Sequence, residues 1–224
     1  MPDTIPYYKN KPSLPTGSML SSQSSNGKGN IYYVRHGSTN LNSADKLRSW
    51  NDVPLDAKGK LEAHKVGKEL KGKRIESIIT SDLSRAEDTG KIVSEETGIK
   101  NISSEKALRP WNLGELAGRD VKDTLDVLKN YAENKPDSSI KGGESFNTFK
   151  KRYITGIKNI MAQNAGKNII IVSHHRGDRL LDGWEKKGDN PQMQIDLPTF
   201  FQKGMDPGKY RVIKFSDLQK NGRG

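Results

Sequence analysis

Three short runs of β-branched and aromatic residues, interleaved with segments of helical period, limit what this chain can become. "IYYV" (31–34), "IESIIT" (75–80) and "NIIIVS" (168–173) have the length and make-up of buried strands. Helix-like segments run from about Asp56 to Leu70 and from about Ser84 to Thr97. Alternation of this kind predicts an α/β fold, a three-layer sandwich in which helices cover both faces of a mostly parallel central sheet.

Local signals sharpen the helices. Ser84 is the expected N-cap of its helix, Ala86, Thr89, Ile92 and Val93 form its inward stripe, and Gly98 is a natural C-cap. Phe146, Phe149, Tyr153, Ile157, Ile160 and Met161 recur at helical spacing, and this aromatic stripe reads as core. Val121, Leu125, Leu128 and Tyr131 mark another amphipathic helix, inside a long insertion between strands where a lid is often built. "YRVIKF" (210–215) reads as a last strand near a sheet edge. Residues 1–29 are rich in Pro, Ser, Gly and Asn without either period; they are expected to be an extended or disordered tail, able to dock on a protein partner. Residues 30–224 are expected to form one domain.

Charge narrows the partners. Lys plus Arg number 38 against 27 Asp plus Glu, a net charge of +11, which favours anions. The basic residues are scattered, without aromatic interleaving, so specific nucleic-acid binding is not expected. The chain has no cysteine, which removes thiol catalysis and thiolate metal sites. It shows no apolar signal-peptide core and no apolar run of about eighteen residues, so a soluble cytoplasmic protein with no membrane partner is the expectation.

Three strand-to-helix junctions carry the chemistry: "VRHGST" (34–39), "TSDLSRAEDT" (80–89) and "IVSHHRGDR" (171–179). Ends of parallel strands converge at one edge of a sheet, so Arg35, His36, Arg85 and His174 are expected in one pocket. Two guanidinium forks suit a phosphoryl group, to which each offers paired charge-assisted hydrogen bonds. An imidazole among those cations is kept neutral and able to attack phosphorus, with Arg35, Arg85 and His174 stabilising the transferring group. Gly37 is expected to let the backbone approach the ligand. His64 reads as an exposed or half-buried helix residue, Trp111 and Trp184 as packing residues, and Asp178 and Arg179 as a local ion pair.

These motifs resemble the histidine phosphatase superfamily, the phosphoglycerate mutase-like proteins. "VRHGSTNLN" matches the signature through Arg35, His36, Gly37, Thr39 and Asn42, and "WNDVPLDAKGKLEA" resembles the block that follows it. "TSDLSRAEDT" supplies the second phosphate-binding arginine, Arg85, "GGESFNTFKKR" resembles the Gly-Glu-Ser helix start, and "VSHHRGDR" supplies the second histidine, His174. The resemblance implies the phosphoglycerate mutase-like fold and phosphoryl transfer through phospho-His36 on a small phosphorylated substrate. It also implies no metal, with Arg35, Asn42, Arg85 and His174 lining the phosphate pocket; Thr39 and His175 are further candidates for phosphate or substrate binding, and no cofactor is expected.

Two positions depart from the family pattern. Aligning Gly114 and Gly118 puts Pro110 where members carry the glutamate that protonates the leaving group, which makes Glu115 the substitute candidate for the acid. His175 stands where a glycine is usual, and is expected to narrow the pocket or to donate a proton. Three functions stay open: a phosphomonoesterase, a phosphoglycerate mutase-type phosphotransferase, and a non-catalytic phosphate-binding or structural protein.

Overall fold

The computed structural model describes residues 29–220. The expected tail lies outside these residues but for Gly29. Five strands form one sheet in the order β3-β2-β4-β1-β5: β1 (Asn30–Arg35), β2 (Ser77–Thr80), β3 (Ile102–Ser104), β4 (Asn168–Ser173) and β5 (Tyr210–Lys214). The first four are parallel, and β5 runs antiparallel along β1 at the edge, where "YRVIKF" was expected. Phe215 is not part of that strand and opens a short helix instead. β3, with three exposed residues, is too short and too polar to announce itself in the sequence.

Both faces of the sheet are buried, and side-chain alternation divides the core. Ile31 and Tyr33 of β1 with Ile169 and Ile171 of β4 point to one side. There they pack on α5 (Phe146–Gln163) and α6 (His175–Lys187), whose six predicted stripe residues in α5 are all buried. Val34, Ile170 and Val172 point to the other side, against Val66 and Leu70 of α2 (Ala57–Leu70) and Ala86 and Val93 of α3 (Ser84–Thr97). The three-layer α/β sandwich read from the alternation is therefore the observed one.

Helix ends follow their local chemistry. Asp56 caps α2 by accepting from the Gly59 N–H at 2.7 Å. Gly98 ends α3 in the left-handed region at φ 79°, as expected. Ser84 does not cap α3: it is the first helical residue, and its N–H and hydroxyl donate to Asp52 Oδ1 at 2.8 and 2.7 Å. A carboxylate from a distant loop has taken the role that propensity gave to Ser84. The insertion forms α4 (Val121–Glu133), which buries Thr124, Leu128 and Ala132. Smaller helices, α1 (Asn40–Ser43), α7 (Leu197–Phe201) and α8 (Phe215–Gln219), complete the chain. No described helix is long and apolar enough to cross a membrane.

Candidate active site

β1, β2 and β4 end side by side, because Arg35 pairs with Ser173 and Thr80 with Val172 in the parallel register. The residues that follow them meet above the sheet in a cavity of about 460 Å³. Arg35, His36, Asn42, Arg85, His174 and His175 all line it.

His36 leaves β1 with its N–H donating to the Ser173 carbonyl at 3.0 Å. Its ring Nδ1 lies 2.7 Å from the Gly37 carbonyl oxygen. A carbonyl only accepts, so Nδ1 carries the proton and Nε2 holds the lone pair. The ring is 1% exposed, and its centroid lies 5.1 Å from that of His174. Burial first, then the Arg85, Arg48 and Arg35 guanidiniums, hold His36 well below the usual histidine range. Burial, then Arg85 and His36, act on His174 in the same direction. His174 Nε2 shares a 2.9 Å hydrogen bond with Ser81 Oγ, and its Nδ1 is buried without a protein partner among the described residues.

The arginines are fixed by backbone carbonyls. Arg85, 1% exposed, donates from Nη1 to Asn51 O at 2.8 Å and from Nη2 to Ser49 O at 2.9 Å. Arg35 donates from Nη1 to the Met205 carbonyl. In both, Nε is buried and unpartnered among the described residues. Two buried N–H donors without acceptors are costly unless an anion uses them.

Three expected site features differ from their sequence reading. Thr39 is fully buried and does not line the cavity; its hydroxyl and N–H both donate to Asn42 Oδ1, at 2.9 and 3.1 Å. Thr39 thus orients the Asn42 amide. Glu115 sits in the 3-10 turn Gly114–Leu116, outside the cavity lining, while Pro110, Trp111 and Leu113 form the wall there. Gly37 makes room for protein and not for ligand, since a Cβ on it would lie 2.3 Å from the Gly59 carbonyl oxygen.

His175 lines the cavity, and its Nε2 accepts from the Gly204 N–H at 3.0 Å. That bond leaves Nδ1 as its proton-bearing atom, and burial with the Arg176 charge presses its pKa down to about 2. Trp111 and Trp184 are buried at 1% exposure each, His64 is part-exposed and paired with Glu96, and Asp178 pairs with Arg179 at 3.1 Å, as read. Arg48 and Arg176 also line the cavity and were missed. Arg176 lies inside the quoted "VSHHRGDR", and the only available signal was its position one residue beyond the two histidines. Among the described residues no three His, Asp or Glu side chains converge as a metal site would need.

A mostly parallel α/β sheet whose strand ends bring two histidines and several arginines to one cavity defines a phosphoglycerate mutase-like protein. The chain belongs to the histidine phosphatase superfamily (branch 1), whose family profile matches residues 31–183. It is 30% identical over 150 residues to phosphoglycerate mutase-like protein 4 of Arabidopsis thaliana, covering 64% of this chain and 65% of that one. The chain therefore spans just under two thirds of that relative. Bacillus stearothermophilus YhfR superposes with a TM-score of 0.69 at 25% identity, covering 83% of this chain and 91% of that one. The alpha-ribazole phosphatase from Shigella flexneri shares the fold with a TM-score of 0.68 at 21% identity, over 87% and 94% of the two chains.

Proposed function

We propose that the protein is a phosphomonoesterase that works through a phosphohistidine on His36 and acts on a small phosphorylated substrate. The observation that carries this reading is the Nδ1–H···O=C bond from His36 to Gly37, which turns the Nε2 lone pair into a nucleophile among the buried arginines. In the first step a bond forms from Nε2 to phosphorus, and the bond from phosphorus to the ester oxygen breaks. The Gly37 carbonyl steadies the positive charge that develops on the ring. Arg35, Arg85 and the Asn42 amide neutralise the equatorial oxygens, as preorganised donors do in phosphoryl transfer. In the second step water attacks phosphorus, the bond to Nε2 breaks, and the lone pair returns to His36 while the proton from water leaves to solvent.

The leaving oxygen lacks a carboxylic acid at the usual position. Pro110 lines the cavity there, and Asp45 and Asp206 are the carboxylates in its lining. Turnover is therefore expected to favour esters whose leaving group departs without a proton.

The test is phosphate release from p-nitrophenyl phosphate and a panel of sugar and nucleotide monoesters, with His36→Ala as comparison. Release that is lost in the variant supports the reading. No release above the variant, with inorganic phosphate still bound, would turn it into a non-catalytic phosphate-binding role. Conversion between phosphoglycerates would favour a mutase-type transferase.

A further inference from the structure

We infer that His175 is a positioning residue: by holding the connection between α7 and β5, its ring sets which edge of the Arg35 guanidinium faces a bound phosphate. This rests on the phosphomonoesterase reading of the same cavity and adds to it a side chain that acts on the phosphate through another.

The connection, residues 202–209, has no regular structure and lends Lys203, Asp206 and Pro207 to the cavity wall. Its far end is tied to the end of β1 by backbone alone. The Gly208 N–H is shared between the carbonyls of Arg35 and His36 at 3.0 and 3.2 Å, and the Arg35 N–H donates to Lys209 O at 2.9 Å. From Lys203 to Pro207, two hydrogen bonds hold the connection to the rest of the chain among the described residues. The Gly204 N–H donates to His175 Nε2 at 3.0 Å, and the Met205 carbonyl accepts from Arg35 Nη1. His175 thus grips the residue next to the one that anchors Arg35.

Guanidinium geometry says what that anchor does. Nη1 is committed to Met205, and Nε is buried without a protein acceptor among the described residues. Nε and Nη2 share the opposite edge of the group, and their N–H bonds form a fork that matches two oxygens of a phosphoryl group. Burial lowers the Arg35 pKa, and Asp206, the residue after Met205, is the foremost charge opposing that fall. Carbonyl and carboxylate therefore both reach Arg35 from the segment that His175 holds.

The contact is built closely. A Cβ on Gly204 would lie 2.8 Å from His175 Cδ2, 2.9 Å from its Nε2 and 2.8 Å from Arg179 Nε. Arg179 is not free to swing aside, since Asp178 and Asp182 hold it at 3.1 and 2.6 Å. Burial, then the Arg176 charge, keep the His175 ring neutral, so Nε2 stays an acceptor at neutral pH. The glycine usual at this position has no atom to accept the Gly204 N–H, and would leave the middle of the connection to Arg35 alone.

Amide exchange followed by NMR and calorimetry with inorganic phosphate, both on the full chain, test this without turnover. His175→Gln places its side-chain oxygen near the position of Nε2, whereas His175→Asn ends short of Gly204. In His175→Asn the Gly204 amide is expected to exchange about three- to tenfold faster and phosphate to bind more weakly by a similar factor, the effect of one lost hydrogen bond. His175→Gln should recover most of both. Gly204→Ala strikes the same contact from the other side and should resemble His175→Asn. Faster exchange with phosphate affinity unchanged in His175→Asn and Gly204→Ala would overturn the positioning role and leave the phosphomonoesterase reading standing. Unchanged Gly204 exchange in His175→Asn would overturn it as well, and so would weaker binding that His175→Gln does not recover. Absence of phosphate binding by the wild type would sink the phosphate pocket itself, and both readings with it.

Discussion

Gly37 and Gly59 meet backbone to backbone: a methyl group on Gly37 would lie 2.3 Å from the Gly59 carbonyl oxygen, and one on Gly59 would lie 2.1 Å from the Ser38 carbonyl oxygen. The contact seats the loop after β1 on the first turn of α2, and it fixes the height of His36 above the sheet. Neither neighbour is a flexible side chain that could swing away. Gly37→Ala is therefore expected to destabilise the fold by about 1–3 kcal/mol, the range of overpacked cores, and to displace His36. Urea denaturation and phosphate affinity measured together check this. A variant of wild-type stability would show that the loop yields more easily than the packing implies.

The same pair shows what the sequence carries and what it does not. "IYYV", "IESIIT" and "NIIIVS" reveal the sheet because period and β-branching are local properties. The topology that parallel strands impose then gathers His36, Arg85 and His174 from junctions far apart in the chain. Which backbone faces Gly37, and whether Thr39 meets the ligand or Asn42, depend on three-dimensional neighbours that no spacing records. Arg48 and Arg176 were invisible for a related reason. An arginine in a basic chain, in a loop like Arg48 or in a helical first turn like Arg176, looks like a solvated charge, and only the shared cavity separates the two from the rest. Asp52 on the α3 N-terminus is the converse case, in which tertiary structure overrode a sound local signal from Ser84.

Buried neutral histidines make stability depend on pH. His36 and His174 are held well below their ordinary value in the folded chain, while in the unfolded chain they take up a proton near pH 6.5. Below that pH the unfolded state binds more protons, so stability is present above about 6.5 and is lost as pH falls. Each histidine contributes at most about 1.4 kcal/mol per pH unit in that window. Urea midpoints from pH 8 to 5 are expected to hold steady and then drop below about 6.5, with a shallower drop in His36→Asn/His174→Asn. Equal slopes in the two proteins would contradict neutral burial.

Pro110 in the cavity wall predicts a steep dependence on the leaving group. General acid assistance is commonly worth about 10²-fold or more. Aryl phosphates, whose phenolates leave unaided, are expected to exceed alkyl phosphates by at least that factor in kcat/KM, which reports the step in which the alcohol departs. Because Glu115 lies outside the cavity, Glu115→Gln should leave the aryl-to-alkyl ratio unchanged. A kcat/KM series over substituted phenyl phosphates reads the slope of that first step directly. A flat series would mean that another group, such as Asp206, delivers the proton.

Arg152 offers a way to disturb the site from a distance. It donates to Glu144 Oε1 at 2.6 Å and Oε2 at 3.2 Å, and to the carbonyls of Ala107, Arg109 and Pro110 at 2.8, 3.1 and 3.2 Å. Glu144 in turn accepts from the Asn112 N–H at 2.9 Å, so one ion pair clamps both sides of the segment that presents Pro110 and Trp111 to the cavity. The pair is largely shielded, with side-chain exposures of 21% and 12%. Removing one partner of such a network strands the other charge and several carbonyls, which costs about 2–4 kcal/mol. Arg152→Ala is expected to lose that much stability and to raise KM more than it lowers kcat, because the wall moves while His36 and its arginines stay on β1 and α3. Glu144→Gln keeps the shape and removes the charge, and it should fall between wild type and Arg152→Ala in both readouts. A variant that lost stability with KM unchanged would show that the segment keeps its place without the clamp.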